Sequence, residues 1–450
     1  MRFKVAALFP LAAGVLLCPA LSAAQDFNVP NDRRPADKRP TPEEIAHPPK
    51  SWIDKDTGHR VIRLTDEPGS ASFYFNVNAY TPDGKEMVYT TPEGISVLDL
   101  STLKSRSVVK GKVRTLEVGH KTQSIFYVKN EERAVYKTNV DTGETTMLAK
   151  LPPRGNIVSV NADETLAAGT YDEEDRPNEQ YGRNGRTATG QPAAGVSQSV
   201  SQTSPLDQPL NKGEMMERRL AARIPLVLYT LDLRNGKVTP LLHSTDWVNH
   251  LLFSPSDPKL LMYCHEGPWQ KVDRIWTIWT DGTHNRLMHK RTMAMEIAGH
   301  EFWGQDGKTV YYDLQTPKGE DFWVASLNLE TGKRNWYHMD RNEWSIHFNV
   351  NEKAGLFTGD GGDPHQVARA PDGEWIYLFH AKKIQSEGMM DGPEFVQGWA
   401  FQSEKLVNMS KHNYTLEPNV SFTPDMKMVI FRSNMFGPTY VFGVEIEKAK

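Results

Sequence analysis

The chain has 450 residues, 38% of them hydrophobic, and a formal net charge of −4: enough to bury a large core, and too polar for a multi-span membrane protein. Lys and Arg number 52 against 56 Asp and Glu, with no concentrated basic stretch, so the electrostatic attraction that nucleic-acid binding depends on is missing. Two cysteines exclude a disulfide-stapled scaffold.

Arg2 and Lys4 precede an apolar run from Val5 to Cys18, and small residues follow through Ala24. This is the order of a secretory leader over residues 1–24, with cleavage near Ala23 or Ala24. Pro10 and Pro19 interrupt the run, which is shorter than the about 20 residues of a membrane span, so the mature protein is expected to be periplasmic or secreted and free of the membrane. Cleavage leaves Cys264 as the sole cysteine, and stability then comes from packing alone. Residues 25–50, rich in Pro and charge, are expected to form an extended linker.

From residue 51 onward, short β-favouring runs alternate with turn signals, and no long stretch holds a helical apolar period. One unit recurs: "NAYTPDGKEMVYT" around Asp83 and "SFTPDMKMVIFRS" around Asp425, with weaker copies near Thr122, Asp163, Asp257, Asp306 and Glu352. The steps are 39, 41, 94, 49, 46 and 73 residues. Four of them match the about 40 to 50 residues of a propeller blade, and the two long ones each contain an insertion. The expected fold is all-β: a seven-bladed β-propeller over 51–450 whose N-terminal strand, in "HRVIRLT" from His59, closes the last blade. A β-sandwich pair is the alternative, but it gives no reason for a steady period. Within the 94-residue step, 172–222 is poor in large apolar residues and is expected to be a polar insertion loop, either solvated or lying over one face of the ring.

The first strand of each blade lines the channel, so its polar residues face a shared space. Here these are Asn76, Asn78, His250, His300, His347, Glu417 and Asn419. One such residue next to water needs no function. Several imidazoles and a carboxylate at equivalent positions form a site for a metal or a general base. No G-x-S-x-G, H-E-x-x-H, P-loop or G-x-G-x-x-G motif is present, which argues against a serine hydrolase, zincin, P-loop enzyme or dinucleotide oxidoreductase. Asp360 and Asp363 in "GDGGDPH" offer either a Ca²⁺ site or a tight turn.

Four segments, "CHEGPWQKVDRIW" (264–276), "GHEFWGQDGKTVYYD" (299–313), "HFNVNEKAGLFTGDGG" (347–362) and "EPNVSFTPDMKMVIFRSN" (417–434), resemble the oligogalacturonate lyases, polysaccharide lyase family 22, in order and spacing. The resemblance implies a seven-bladed propeller that cleaves oligogalacturonides by β-elimination, with manganese at the channel mouth. It places the catalytic base on His300, a substrate-binding arginine on Arg274 and a metal-binding histidine on His347. The family's Gln-x-x-His-Pro-His is here Tyr414-Thr-Leu-Glu417-Pro418-Asn419. Glu417 and Asn419 offer oxygen ligands, and with one imidazole they suit Mn²⁺, Mg²⁺ or Ca²⁺. His365 and His412 are near enough in sequence to substitute.

Elimination requires that charge building on a uronate carboxylate be neutralised. A metal at His347, Glu417 and Asn419, with Arg274, is expected to do this while neutral His300 removes the proton. His265 and His250 are expected to contact the substrate or protonate the leaving group. The expected partner is an acidic oligosaccharide. The alternatives are a lyase for another uronic-acid glycan, which the altered metal motif keeps open, and a non-catalytic periplasmic binding propeller.

Overall fold

The computed structural model describes residues 32, 34–174, 212–385, 392 and 394–449. Residues 1–24, expected to be a leader, and most of the expected polar insertion, 175–211, lie outside them.

The strands assemble into seven blades around one channel. Blade 1 holds Glu86–Thr91, Gly94–Asp99 and Ser105–Lys110, with Tyr80 bridged to Met87 on the inner side. Blades 2, 3 and 4 are four-stranded sheets that begin at Arg114, Gly155 and Trp247. Blades 5 and 6, beginning at Ile297 and Phe348, join into one eight-stranded sheet because their outer strands Arg334–Met339 and Val396–Asn408 pair in parallel. In blade 7, His59–Arg63 pairs antiparallel with Tyr440–Lys448, setting Val61 opposite Val444, so the N-terminal strand closes the ring as expected.

The turn chemistry explains the repeat. Asp83 accepts from Thr81 Oγ1 at 2.8 Å and from the Lys85 amide at 3.1 Å, and Asp425 accepts from Thr423 Oγ1 at 2.7 Å and the Lys427 amide at 3.1 Å. A carboxylate that bonds its own backbone two residues on fixes the hairpin locally. The strand after each turn is buried on both faces, with Tyr89, Tyr127, Tyr263 and Tyr312 at corresponding places and fully enclosed. Blade faces therefore stack on each other rather than on solvent.

Two segments depart from the sequence expectation. Residues 34–50 are docked rather than an extended linker: Thr41 caps a helix over Pro42–Ala46, and Arg34 gives hydrogen bonds to the carbonyls of Lys411, at 2.7 Å, and Asn434. The end of the insertion is a helix, Lys212–Ala222, not loop. Its Met215 and Met216 are buried against Trp247 and Trp269, and Lys271 pairs with Glu217 at 2.8 Å. An apolar pair at adjacent positions in an otherwise polar stretch is enough to seat one side of a short helix on an aromatic surface.

Candidate active site

His250, His300 and Asn419 have φ values of +48°, +46° and +56°, the left-handed region that a non-glycine residue occupies at a cost. His250 falls in the register break between Asn249 and Leu252, and His300 in the break between Gly299 and Phe302. Such a bulge leaves a residue out of the ladder and re-aims its side chain. The two imidazoles consequently end beside Tyr74 and His347: the His250 ring is 6.4 Å from Tyr74, and the His300 ring is 5.2 Å from His347. Gly299 leaves room for this, since a Cβ there would meet Asp313 Oδ1 at 3.3 Å and Arg274 Nε at 3.7 Å.

Both central histidines are oriented by buried aspartates. His300 Nδ1 lies 3.0 Å from Asp313 Oδ1, and His347 Nδ1 lies 2.9 Å from Asp360 Oδ2. A carboxylate only accepts, so each Nδ1 carries the hydrogen and each Nε2 keeps its lone pair. His347 Nε2 accepts from the Tyr74 hydroxyl at 3.1 Å and faces Glu417 Oε2 at 3.9 Å. His347 is fully buried, whereas the Glu417 side chain is 46% exposed, so the site opens to solvent on the Glu417 side. Burial, and after it the charges of Glu417 and Glu301, push the Tyr74 hydroxyl well above its usual pKa.

Arg274, expected to bind substrate, is 4% exposed and clasped from two sides. It donates to Glu266 at 3.0 and 3.3 Å and to Glu301 at 3.3 Å, and its guanidinium sits 5.6 Å from the Trp269 ring. Burial opposes both charges, but Arg274 and a contact from His250 at 3.1 Å together hold the Glu266 carboxyl well below its ordinary range. Trp269 also meets the His300 ring edge-on at 5.5 Å, so Arg274 and His300 share one aromatic wall, backed by the Lys212–Ala222 helix. A second cation is uncommitted: Arg432 donates Nε to the Glu417 carbonyl at 2.8 Å, and its terminal nitrogens make no hydrogen bond among the described residues.

Several predicted residues lie elsewhere or serve otherwise. His265 faces away from Cys264 and Glu266 on its strand, packing on Tyr263 and Trp276. Asn419 is turned into the backbone, its Oδ1 accepting from the Phe75 amide at 3.2 Å and its Nδ2 donating to the Glu417 carbonyl at 3.0 Å. Asp360 orients His347, while Asp363 caps the His365 amide at 3.0 Å, so the pair forms no shared cation site. His365 is exposed, and His412 is buried between Ser433 Oγ and the Leu416 carbonyl. Among the described residues no three His, Cys, Asp or Glu side chains converge as metal ligands. What does fit a hard divalent cation is the pair His347 Nε2 and Glu417 Oε2: one oriented imidazole and one exposed carboxylate, with the remaining positions open to water and substrate oxygens. A cavity of about 1070 Å³ lies between the rims of blades 1 and 7, around Lys85, Asp99, Lys427 and Glu445, and none of the predicted site residues lines it.

His412 gives a pH prediction. Burial, with Arg34 and Arg432 nearby, pushes its pKa down to about 4 although the Leu416 carbonyl and Asp360 act the other way. The unfolded chain binds this proton below about 6.5 and the folded chain does not. Its contribution is therefore fully present above that value and is lost as pH falls toward about 4, about 3 kcal/mol in all. Urea midpoints of wild type and His412→Asn should diverge at neutral pH and draw together in acid; parallel curves would contradict this.

The chain was compared with known proteins. A sequence model of a family described as oligogalacturonate lyase matches residues 208–449. An oligogalacturonate lyase of Dickeya dadantii is 23% identical over 406 residues, covering 86% of this chain and 93% of its own length. An oligogalacturonide lyase of Pectobacterium atrosepticum is also 23% identical, over 411 residues, with the same coverage. Two solved structures share the fold: an oligogalacturonate lyase in complex with manganese, at TM-score 0.67, and one from Vibrio parahaemolyticus, at 0.66. Each is 21% identical and covers 88% of this chain and 96% of its own.

Proposed function

The chain belongs to the oligogalacturonate lyase family of carbon–oxygen lyases, and from that premise we propose that it cleaves acidic uronide oligosaccharides, pectin fragments first among them, by β-elimination outside the cytoplasm. The observation that carries the reading is the pairing of His300 and His347, each with Nδ1 tied to a buried aspartate and rings 5.2 Å apart. His300 Nε2 takes the proton from the carbon next to the carboxylate, and Asp313 stabilises the imidazolium that results. Arg432 pairs with the substrate carboxylate through its free nitrogens, and Trp269 offers an apolar face to the sugar ring. Arg274, neutralised by two carboxylates, holds the Trp269 wall and the Gly299–Glu301 segment in place. His347 and Glu417 are the residues that would hold a divalent cation, manganese by analogy with the solved relative; when bound, it supplies further neutralisation of the developing carboxylate charge. The leader at residues 1–24 supports a periplasmic or secreted site of action.

The test is incubation of the exported protein with oligogalacturonides, rhamnogalacturonan fragments and alginate fragments, following the ultraviolet absorbance of the unsaturated product. Activity on galacturonides is expected, with loss after EDTA and recovery on adding Mn²⁺. Calorimetric Mn²⁺ binding should be abolished by Glu417→Gln. Activity on another uronide alone would move the substrate, and no product on any would leave a binding propeller. Unchanged activity after EDTA would remove the cation.

A further inference from the structure

Several side chains meet on the Trp269 indole. The His300 ring stands edge-on to it at 5.5 Å, the Arg274 guanidinium lies 5.6 Å from its centroid, Met215 and Met216 pack against it, and the Lys212 ammonium lies over the ring at 5.6 Å. Spacing accounts for the last of these. Positions i, i+3 and i+4 share one helix face, so the burial of Met215 and Met216 carries the Lys212 side chain onto the same aromatic surface. The two cations on this wall are in opposite states. Arg274 is buried, and its charge is taken up by Glu266 and Glu301. Lys212 is exposed, and among the described residues its side chain has neither an ion-pair partner nor a hydrogen bond. Glu217 of the same helix is held by Lys271 instead, at 2.8 Å.

An oligouronide carries a carboxylate on each sugar, and the roles above use only the one on the sugar that loses its proton. We infer that Lys212 binds the carboxylate of an adjoining sugar, which makes the Trp269 wall a second uronate subsite. The inference rests on the uronide-lyase reading above. Base and ammonium both abut Trp269, so their separation cannot exceed the two spans that meet at that ring, and adjoining sugars of one chain cover it. Lysine suits this place: a point charge on a flexible stem takes a carboxylate in several poses, whereas the reacting sugar needs a fixed one. The contact is the same before and during bond breaking, so its effect falls on KM rather than kcat. It also sets a preference, because a sugar esterified or reduced at its carboxyl offers the ammonium no charge.

The experiment is a cycle that removes charge from enzyme and substrate in turn. On oligogalacturonide at low salt, Lys212→Met is expected to raise KM about fivefold, the scale of a solvent-exposed charge pair, with kcat retained, and Lys212→Arg should restore the wild-type KM. High salt should shrink the difference between wild type and Lys212→Met. The substrate is then changed by reducing the carboxyl of the sugar on one side, or on the other, of the one that loses its proton. With one of these two, wild type is expected to show about the same rise in KM and Lys212→Met no further rise; that result also fixes which neighbour Lys212 holds. A Lys212→Met variant with the wild-type KM, a loss of kcat without a change in KM, or losses that simply add with both altered substrates would overturn the inference and leave the lyase reading standing. A wild type silent on every uronide would overturn the lyase reading and this one together.

Discussion

Replacing His300 with asparagine is expected to lower kcat on oligogalacturonides by about 10³-fold, within the range an acid–base residue contributes, while the folded protein persists. Asparagine suits this position for a local reason. Residue 300 sits at φ +46°, a conformation that asparagine adopts more readily than most residues. Its amide can also donate to Asp313, so that the buried carboxylate keeps a partner. What disappears is the imidazole lone pair. Progress curves on oligogalacturonide, read beside near-ultraviolet circular dichroism of the same samples, separate chemistry from folding; full activity in a folded variant would exclude His300 as the base.

The second large effect concerns stability. Arg274→Met removes the single cation between Glu266 and Glu301, whose side chains are 5% and 0% exposed. Breaking a buried pair from one side costs about 3–5 kcal/mol, because the remaining buried carboxylates lose the cation they share and Glu266 keeps only its His250 contact. The pH dependence identifies the cause. In the wild type the Glu266 carboxyl is held well below its ordinary value, so its contribution is present above the unfolded pKa and is lost as pH falls through the folded one. Without Arg274, burial of the Glu266 carboxyl is opposed by the His250 contact alone, so that carboxyl rises and the variant loses less stability than wild type as pH falls. Urea midpoints should therefore differ most at neutral pH and converge in acid. Adding Glu266→Gln and Glu301→Gln to Arg274→Met should recover part of the loss. A neutral-pH difference below about 1 kcal/mol would show that the site tolerates both carboxylates without their shared cation, contrary to the expected desolvation cost.

The two predictions pull apart what the resemblance to relatives had joined. His300 and Arg274 come from adjacent blades and meet at Trp269, but one presents a free lone pair and the other a charge already spent on its neighbours. Arg432 was not singled out in the sequence because it stands in an ordinary strand, Met428–Ser433. Its free donors become visible only when its neighbours are known. Tyr74 was passed over for a similar reason: "SFYFNVN" drew attention to the two asparagines, which the structure puts to backbone use, Asn76 on the Glu301 carbonyl at 3.0 Å and Asn78 on Val118 at 2.9 Å.

The order of residues by itself determined the ring: turn carboxylates two residues from the amides they bind, apolar strands of blade length, and a strand at His59 that pairs on one edge with Ser51–Ile53 and on the other only across the closure. These are short-range interactions or periodicities, which a linear chain displays directly. It also marked His300 and His347, through segments held in one blade each. Only the tertiary structure decided which groups share a pocket with them. Tyr74 meets His347 across 273 residues, and Asn419 gives its oxygen to a backbone amide 344 residues away. Contacts of that separation exist because the closed ring brings the inner strands of distant blades to one axis, and the hydrogen-bonding needs of buried polar groups then settle which side chains remain free for substrate.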